Sequence, residues 1–120
     1  MGKRVMVVDD SRMVEIQMKK LLENTQYEVV SFCRKGEDAV ARYADVQPDL
    51  VTMDILMPGM DGLEASRILL EANPDAKIVM MSHLAYDETI DEAMSIGARG
   101  FIAKPLDRER VLSALDKAGA

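Results

Sequence analysis

Five short apolar runs, each followed by an amphipathic stretch, fill almost the whole chain and leave it few possible folds. The runs cover residues 4–8, 28–32, 50–53, 77–81 and 100–103. Several are continuously apolar rather than alternating, the pattern of parallel strands covered on both faces. The intervening stretches carry apolar residues at helical spacing. Val14, Met18, Leu21 and Leu22 form the first stripe, with Ser11 as its candidate N-cap. Ala39, Val40, Tyr43 and Ala44 form the second. The third, Ala65, Ile68, Leu69 and Ala72, stops at Asn73-Pro74, where proline cannot continue a helix. The fourth starts near Asp87, carries Ile90, Ala93 and Met94, and ends at Gly97. The fifth starts near Asp107 and repeats Val111, Ala114, Leu115 and Ala118. Five β–α units in strict alternation predict an α/β fold, a doubly wound parallel sheet with right-handed crossovers. Alternation alone does not fix the strand order.

A length of 120 residues suits one domain over 1–120, and a charged fraction of 30% is ordinary for a globular chain. The apolar runs are far shorter than the roughly 20 residues that cross a bilayer. No signal-peptide pattern follows Met1, so the expected location is cytoplasmic, without a membrane partner. Cys33 is the only cysteine, which excludes an internal disulfide, and it reads as core filler. The formal charge of −6 repels nucleic-acid phosphates, so direct nucleic-acid binding is not expected. Basic partners or a bound cation fit better.

The polar residues at the strand ends are not scattered at random. The first run stops at Asp9-Asp10, the third at Asp54, the fourth at Ser82 and the fifth at Lys104-Pro105. In an open α/β sheet, active groups gather beyond the carboxyl ends of the strands, where the winding reverses. All five side chains are therefore expected in one crevice. Each close pair of carboxylates there costs on the order of 4 kcal/mol at an effective dielectric of about 20. A hard divalent ion such as Mg²⁺, which favours oxygen ligands, makes that arrangement useful. Lys104 adds a fixed positive charge and Ser82 a hydroxyl donor. Around one carboxylate these groups form a cage for a phosphoryl group, whose transfer needs positioning and charge neutralisation. Taken singly, Asp10 reads as a turn former, Ser82 as a helix cap and Lys104 as a solvated charge. Asp54, inside an apolar run between Met53 and Ile55, is the hardest to explain structurally.

Four stretches carry a family resemblance. They are Val5-Met6-Val7-Val8-Asp9-Asp10-Ser11, Asp49-Leu50-Val51-Thr52-Met53-Asp54-Ile55-Leu56-Met57-Pro58-Gly59-Met60-Asp61-Gly62, Val79-Met80-Met81-Ser82 and Gly97-Ala98-Arg99-Gly100-Phe101-Ile102-Ala103-Lys104-Pro105. In this order the chain resembles the response-regulator receivers of two-component systems, and in length the single-domain chemotaxis regulators. The resemblance implies a flavodoxin-like (βα)5 domain with strand order 2-1-3-4-5. It implies that Asp54 is the phosphoacceptor, served by a sensor histidine kinase or a small phosphodonor. Asp9, Asp10, Asp54 and the backbone carbonyl of Leu56 would hold Mg²⁺, for which Mn²⁺ or Ca²⁺ can substitute. Lys104 would pair with the phosphoryl group, and the Lys104–Pro105 peptide would be cis. Only about 5–6% of X–Pro bonds are cis, so that expectation rests on the resemblance.

The resemblance further implies a switch in which Ser82 moves toward the phosphoryl group and Phe101, where many relatives carry Tyr, turns inward. The fourth helix, fifth strand and fifth helix would then bind a downstream target: a flagellar switch, a phosphotransfer protein or an output domain. Such a protein is not an enzyme, since it catalyses only its own phosphorylation and dephosphorylation. Leu56 and Leu84 would flank the phosphoryl group, and His83 reads as an exposed loop residue. Met57 and Met60 are expected to pack in the acceptor loop. Three other readings stay open. The chain is also compatible with a receiver belonging to a longer regulator or hybrid kinase. An aspartyl-phosphate phosphatase would want a second Asp two residues after the nucleophile, where this chain has Leu56. A flavin carrier would want a Ser/Thr/Gly-rich loop after the first strand, which is absent.

Overall fold

All ten elements expected from the sequence are present in a computed structural model of the chain, which describes residues 2–120. In order they are β1 (Lys3–Val8), α1 (Arg12–Leu21), β2 (Tyr27–Cys33), α2 (Gly36–Val46), β3 (Leu50–Asp54), α3 (Gly62–Ala72), β4 (Ile78–Ser82), α4 (Asp87–Ser95), β5 (Gly100–Ala103) and α5 (Arg108–Gly119). The strands form one parallel sheet ordered β2-β1-β3-β4-β5. This is the flavodoxin-like order that the resemblance implied.

Successive residues of a strand face opposite sides, so a continuously apolar strand needs cover on both. Met6, Val8, Val51, Met53, Ile78 and Met80 pack on one side with Ala39, Leu63, Ala65, Leu69 and Ala93 of α2, α3 and α4. Val5, Val7, Leu50, Val79 and Met81 pack on the other with Val14, Met18, Val111 and Leu115 of α1 and α5. Cys33 is buried in the first of these cores, as expected of filler. Met57 is buried there too, with Met60 packed against it. Among the described residues, no helix is long and apolar enough to cross a membrane.

Several local expectations need correcting. Ala44, Ala72 and Met94, assigned to apolar stripes, are exposed. In α2 the buried face runs through Gly36 and Ala39 to Val40, Tyr43 and Val46, so Ala44 lies beyond its margin. Exposing an alanine costs little, which is why composition did not reveal the margin. In α3 the helix turns Ser66 inward instead, where its hydroxyl donates to the Met80 sulfur at 3.4 Å. Ser11 occupies the N-cap of α1 but makes no side-chain cap. The last helix, α5, runs through Gly119, with Ala118 buried and Lys77 Nζ donating to the Gly119 carbonyl at 3.3 Å.

Leu115, fully buried between α5 and the sheet, and Met94, 46% exposed on α4, set the two ends of a stability scale. Leu115→Ala is expected to cost about 2–5 kcal/mol and Met94→Ala no more than about 0.5 kcal/mol, measured by urea unfolding. A Leu115→Ala cost as small as that of Met94→Ala would contradict this packing.

Candidate functional site

The apolar run of β1 carries the chain inward as far as Asp9, which is fully buried, and releases it at Asp10, which is exposed. Asp9 Oδ1 accepts a hydrogen bond from the Ser11 backbone N–H at 2.9 Å, so this carboxylate turns the chain into α1. The turn that a lone Asp at this place would make is thus made by Asp9, and Asp10 is left to the acidic cluster. Asp54 is the last residue of β3 and only 5% exposed. Behind it, the loop into α3 returns so closely that a Cβ on Gly62 would lie 2.0 Å from the Asp54 carbonyl oxygen. Only glycine fits there. The Gly62 N–H donates to the Ile55 carbonyl at 2.8 Å, and the Asp61 side chain caps α3 by accepting from the Glu64 N–H. The end of β3 and the start of α3 are therefore in direct backbone contact.

Lys104 follows β5 and reaches across the strand ends. Its Nζ lies 2.7 Å from Asp9 Oδ2 and 3.4 Å from Asp54 Oδ1, and its side chain is only 9% exposed. The Lys104–Pro105 peptide is cis. Asp9, Asp10 and Asp54 each place a carboxylate oxygen within 4.8 Å of the others. Asp9, Asp10, Asp54 and Lys104 thus share one crevice. Ser82, buried at the end of β4, is held differently: its hydroxyl accepts from the Leu84 N–H at 2.9 Å, within its own loop. Leu56 is 56% exposed, Leu84 half-buried and His83 exposed. Phe101 is half-buried and packs against the core under α2, α3 and α4. The role of Gly62 had no signal beyond its place after Asp61, because the contact that demands glycine is tertiary.

Burial raises the pKa of Asp54 from 3.8 to about 6, with repulsion from Asp9 adding to it, attraction to Lys104 opposing it and Asp10 contributing least. One ammonium does not neutralise three carboxylates. The remaining negative charge and the all-oxygen donor set fit a hard divalent cation, which takes carboxylate oxygens and keeps some of its water. A thiolate- or imidazole-favouring metal does not fit, since no Cys or His joins the cluster.

The sequence model of the response regulator receiver domain matches residues 5–116. The chain belongs to this family. Its relatives include the chemotaxis protein CheY of Thermotoga maritima, 39% identical over 98% of both chains. CheY of Bacillus subtilis is 38% identical, again over 98% of both. Among solved structures, CheY in the CheX–CheY–BeF3–Mg²⁺ complex from Borrelia burgdorferi superposes with a TM-score of 0.90 and 32% identity, covering 94% of this chain and 86% of that one. The receiver is thus CheY-like, and its acidic pocket is the one formed by Asp9, Asp10 and Asp54.

The raised Asp54 pKa makes a signed prediction for stability. The folded receiver holds this proton more tightly than the unfolded chain does. The group's contribution is therefore complete below pH 3.8 and lost as pH rises through about 6. In chelator well above pH 6, Asp54→Asn should melt higher than the parent, and the gap should close as pH falls toward 3.8. Thermal melts across that range check it, and a gap that ignores pH would mean that Asp54 is not under this strain.

Proposed function

We propose that this receiver is a phosphorylation-activated response regulator that accepts a phosphoryl group on Asp54 and thereby changes its protein partners. The observation that carries the reading is the convergence of buried Asp54 with Asp9, Asp10 and Lys104 at the strand ends. An Asp54 carboxylate oxygen forms the new bond to phosphorus while the phosphorus–nitrogen bond of a kinase phosphohistidine breaks. The electron pair of that bond leaves with the imidazole nitrogen. Lys104 pairs with the transferred oxygens. The Ser82 oxygen accepts from Leu84, so its own proton remains available to a phosphoryl oxygen once the loop shifts.

Asp9, Asp10, Asp54 and the Leu56 carbonyl are the proposed protein ligands of Mg²⁺, with Mn²⁺ or Ca²⁺ as substitutes. Bound there, the ion supplies neutralisation of the charge on the transferring group. The protein catalyses only its own phosphorylation and dephosphorylation, and is not otherwise an enzyme. An aspartyl-phosphate phosphatase is disfavoured by exposed Leu56 where its acid–base carboxylate would stand.

Output runs through α4, β5 and α5. Half-buried Phe101 borders an open groove between β5 and α5. The expected partners are a histidine kinase upstream and, downstream, a flagellar switch, a phosphotransfer protein or an output domain. The identity of 39% with Thermotoga CheY supports a chemotaxis-type regulator in the cytoplasm. The Borrelia complex, which joins CheY to CheX with Mg²⁺ present, supports both the ion and a protein partner.

The reading is tested by incubation with acetyl phosphate and Mg²⁺, followed by intact mass and peptide mapping. One base-labile phosphoryl group should appear on Asp54, and Asp54→Asn or Asp54→Ala should abolish it. Labelling that survives either substitution would place the acceptor elsewhere.

The phosphorylated form should be long-lived. Hydrolysis needs a water held in line with phosphorus by a group that orients it or takes its proton. Leu56 and Leu84 offer neither, and a positioned polar group is commonly worth about 10²-fold. Leu56→Asn and Leu84→Glu should each speed first-order loss of phosphate in Mg²⁺ buffer, and the double variant should be faster again. Unchanged rates in both single variants would show that these leucines do not gate hydrolysis, and would direct attention to His83.

A further inference from the structure

Thr52 sits in the middle of β3, fully buried, and its hydroxyl oxygen finds no hydrogen-bond partner among the described residues. In the sheet it is paired with Val7 of β1 and Val79 of β4, both fully buried, on the side covered by α1 and α5. Valine has nearly the same shape and would fill the position without stranding a hydroxyl, whose unbonded burial is costly. The other buried polar side chains near the site are satisfied. Asp9 is held by Ser11 and Lys104, Ser82 by Leu84, and Ser66 by the Met80 sulfur. Thr52 is the exception, and its neighbour on the same face of the strand is Asp54.

Residues two apart on a strand are separated by about 6.6 Å along it. That is too far for a direct hydrogen bond between a threonine hydroxyl and the next carboxylate on its face. It suits two hydrogen bonds of roughly 2.8 Å in series, the span of one bridging water. Asp54 has capacity for such a partner, because Lys104 approaches only its Oδ1. Buried waters characteristically join polar groups that the chain itself leaves unsatisfied.

We infer that Thr52 is a positioning residue for the acceptor: its hydroxyl holds one internal water beneath Asp54, and that water fixes the carboxylate's orientation for attack. The inference rests on Asp54 being the phosphoacceptor. The Thr52 hydroxyl donates to the water, and the water donates to the Asp54 carboxylate. Lys104 holds one oxygen from the crevice side and the water holds the group from below, so the attacking oxygen is presented in one orientation. Thr52 touches neither the donor nor the phosphorus.

The test uses the full chain, acetyl phosphate and Mg²⁺, with the maximal phosphorylation rate and the half-saturating donor concentration read separately. Crystal structures of parent and variants that resolve ordered water form its second arm. Thr52→Val should lower the maximal rate about three- to tenfold, the worth of one hydrogen bond, with half-saturation unchanged. It should also lose the water, whereas Thr52→Ser should keep both water and rate. Thr52→Ala provides a second hydroxyl-free variant should the valine form fail to fold. A hydroxyl-free variant that reacts at the parental rate overturns the inference. So does a serine variant as slow as valine, or a parent crystal with no water at the Thr52 hydroxyl. A parent that is not labelled on Asp54 would instead sink the functional reading, while the crystal arm still decides whether Thr52 holds the water.

Discussion

The ammonium of Lys104 joins residues that are 95 apart in the chain, lying 2.7 Å from Asp9 and 3.4 Å from Asp54. It extends from the edge strand β5 toward the middle of the sheet. Without it, two buried carboxylates would face each other at the ends of adjacent strands with nothing to offset their repulsion. With it, repulsion is reduced but not abolished, as the raised Asp54 pKa records. The rest of the architecture serves to keep that residual strain in place. Continuous apolar strands carry the acids inward, and helices cover both faces of the sheet.

Close packing around Asp54 comes from backbone contacts. Gly62 lies against the Asp54 carbonyl so closely that no side chain is tolerated, and Gly36 meets the Met60 carbonyl and the Ala65 side chain nearly as tightly, with a Cβ there 3.0 Å from each. The loop from Ile55 to Asp61 is thus clamped between the starts of α2 and α3. For the proposed phosphoacceptor, such close contacts hold the carboxylate in one place. The Ser82 hydroxyl, in contrast, is bonded only within its own loop, to the Leu84 N–H.

How much of this could be read from the residues follows from how each feature is encoded. Strands and helices were legible because continuous apolar runs and helical stripes are local patterns. The convergence of Asp9, Asp10, Asp54 and Lys104 was legible because parallel topology brings successive strand ends to one side. Strand order was not encoded locally and came only through the family resemblance. The exposure of Ala44, Ala72 and Met94 could not be seen, since small or flexible apolar residues tolerate either environment. Nor could the burial of Ser66, the turn made by Asp9 or the stranded hydroxyl of Thr52 be foreseen. Each depends on which atoms arrive opposite a side chain after folding.

The sheet divides the molecule into two compartments, and the proposed machinery is split between them. Thr52 faces the compartment under α1 and α5, and the alternation of β3 puts Asp54 above it, where Lys104 meets it. Phe101, opposite Met80, belongs to the compartment under α2, α3 and α4. On the proposed reading, a charge arriving at Asp54 acts on Phe101 from the other side of the sheet. Its effect has to cross a wall of hydrogen-bonded backbone, and the short way round is the rim where β4 ends in Ser82 and Lys104 N–H donates to the Ser82 carbonyl. On the proposed reading, Ser82 stands at the rim where the two compartments meet.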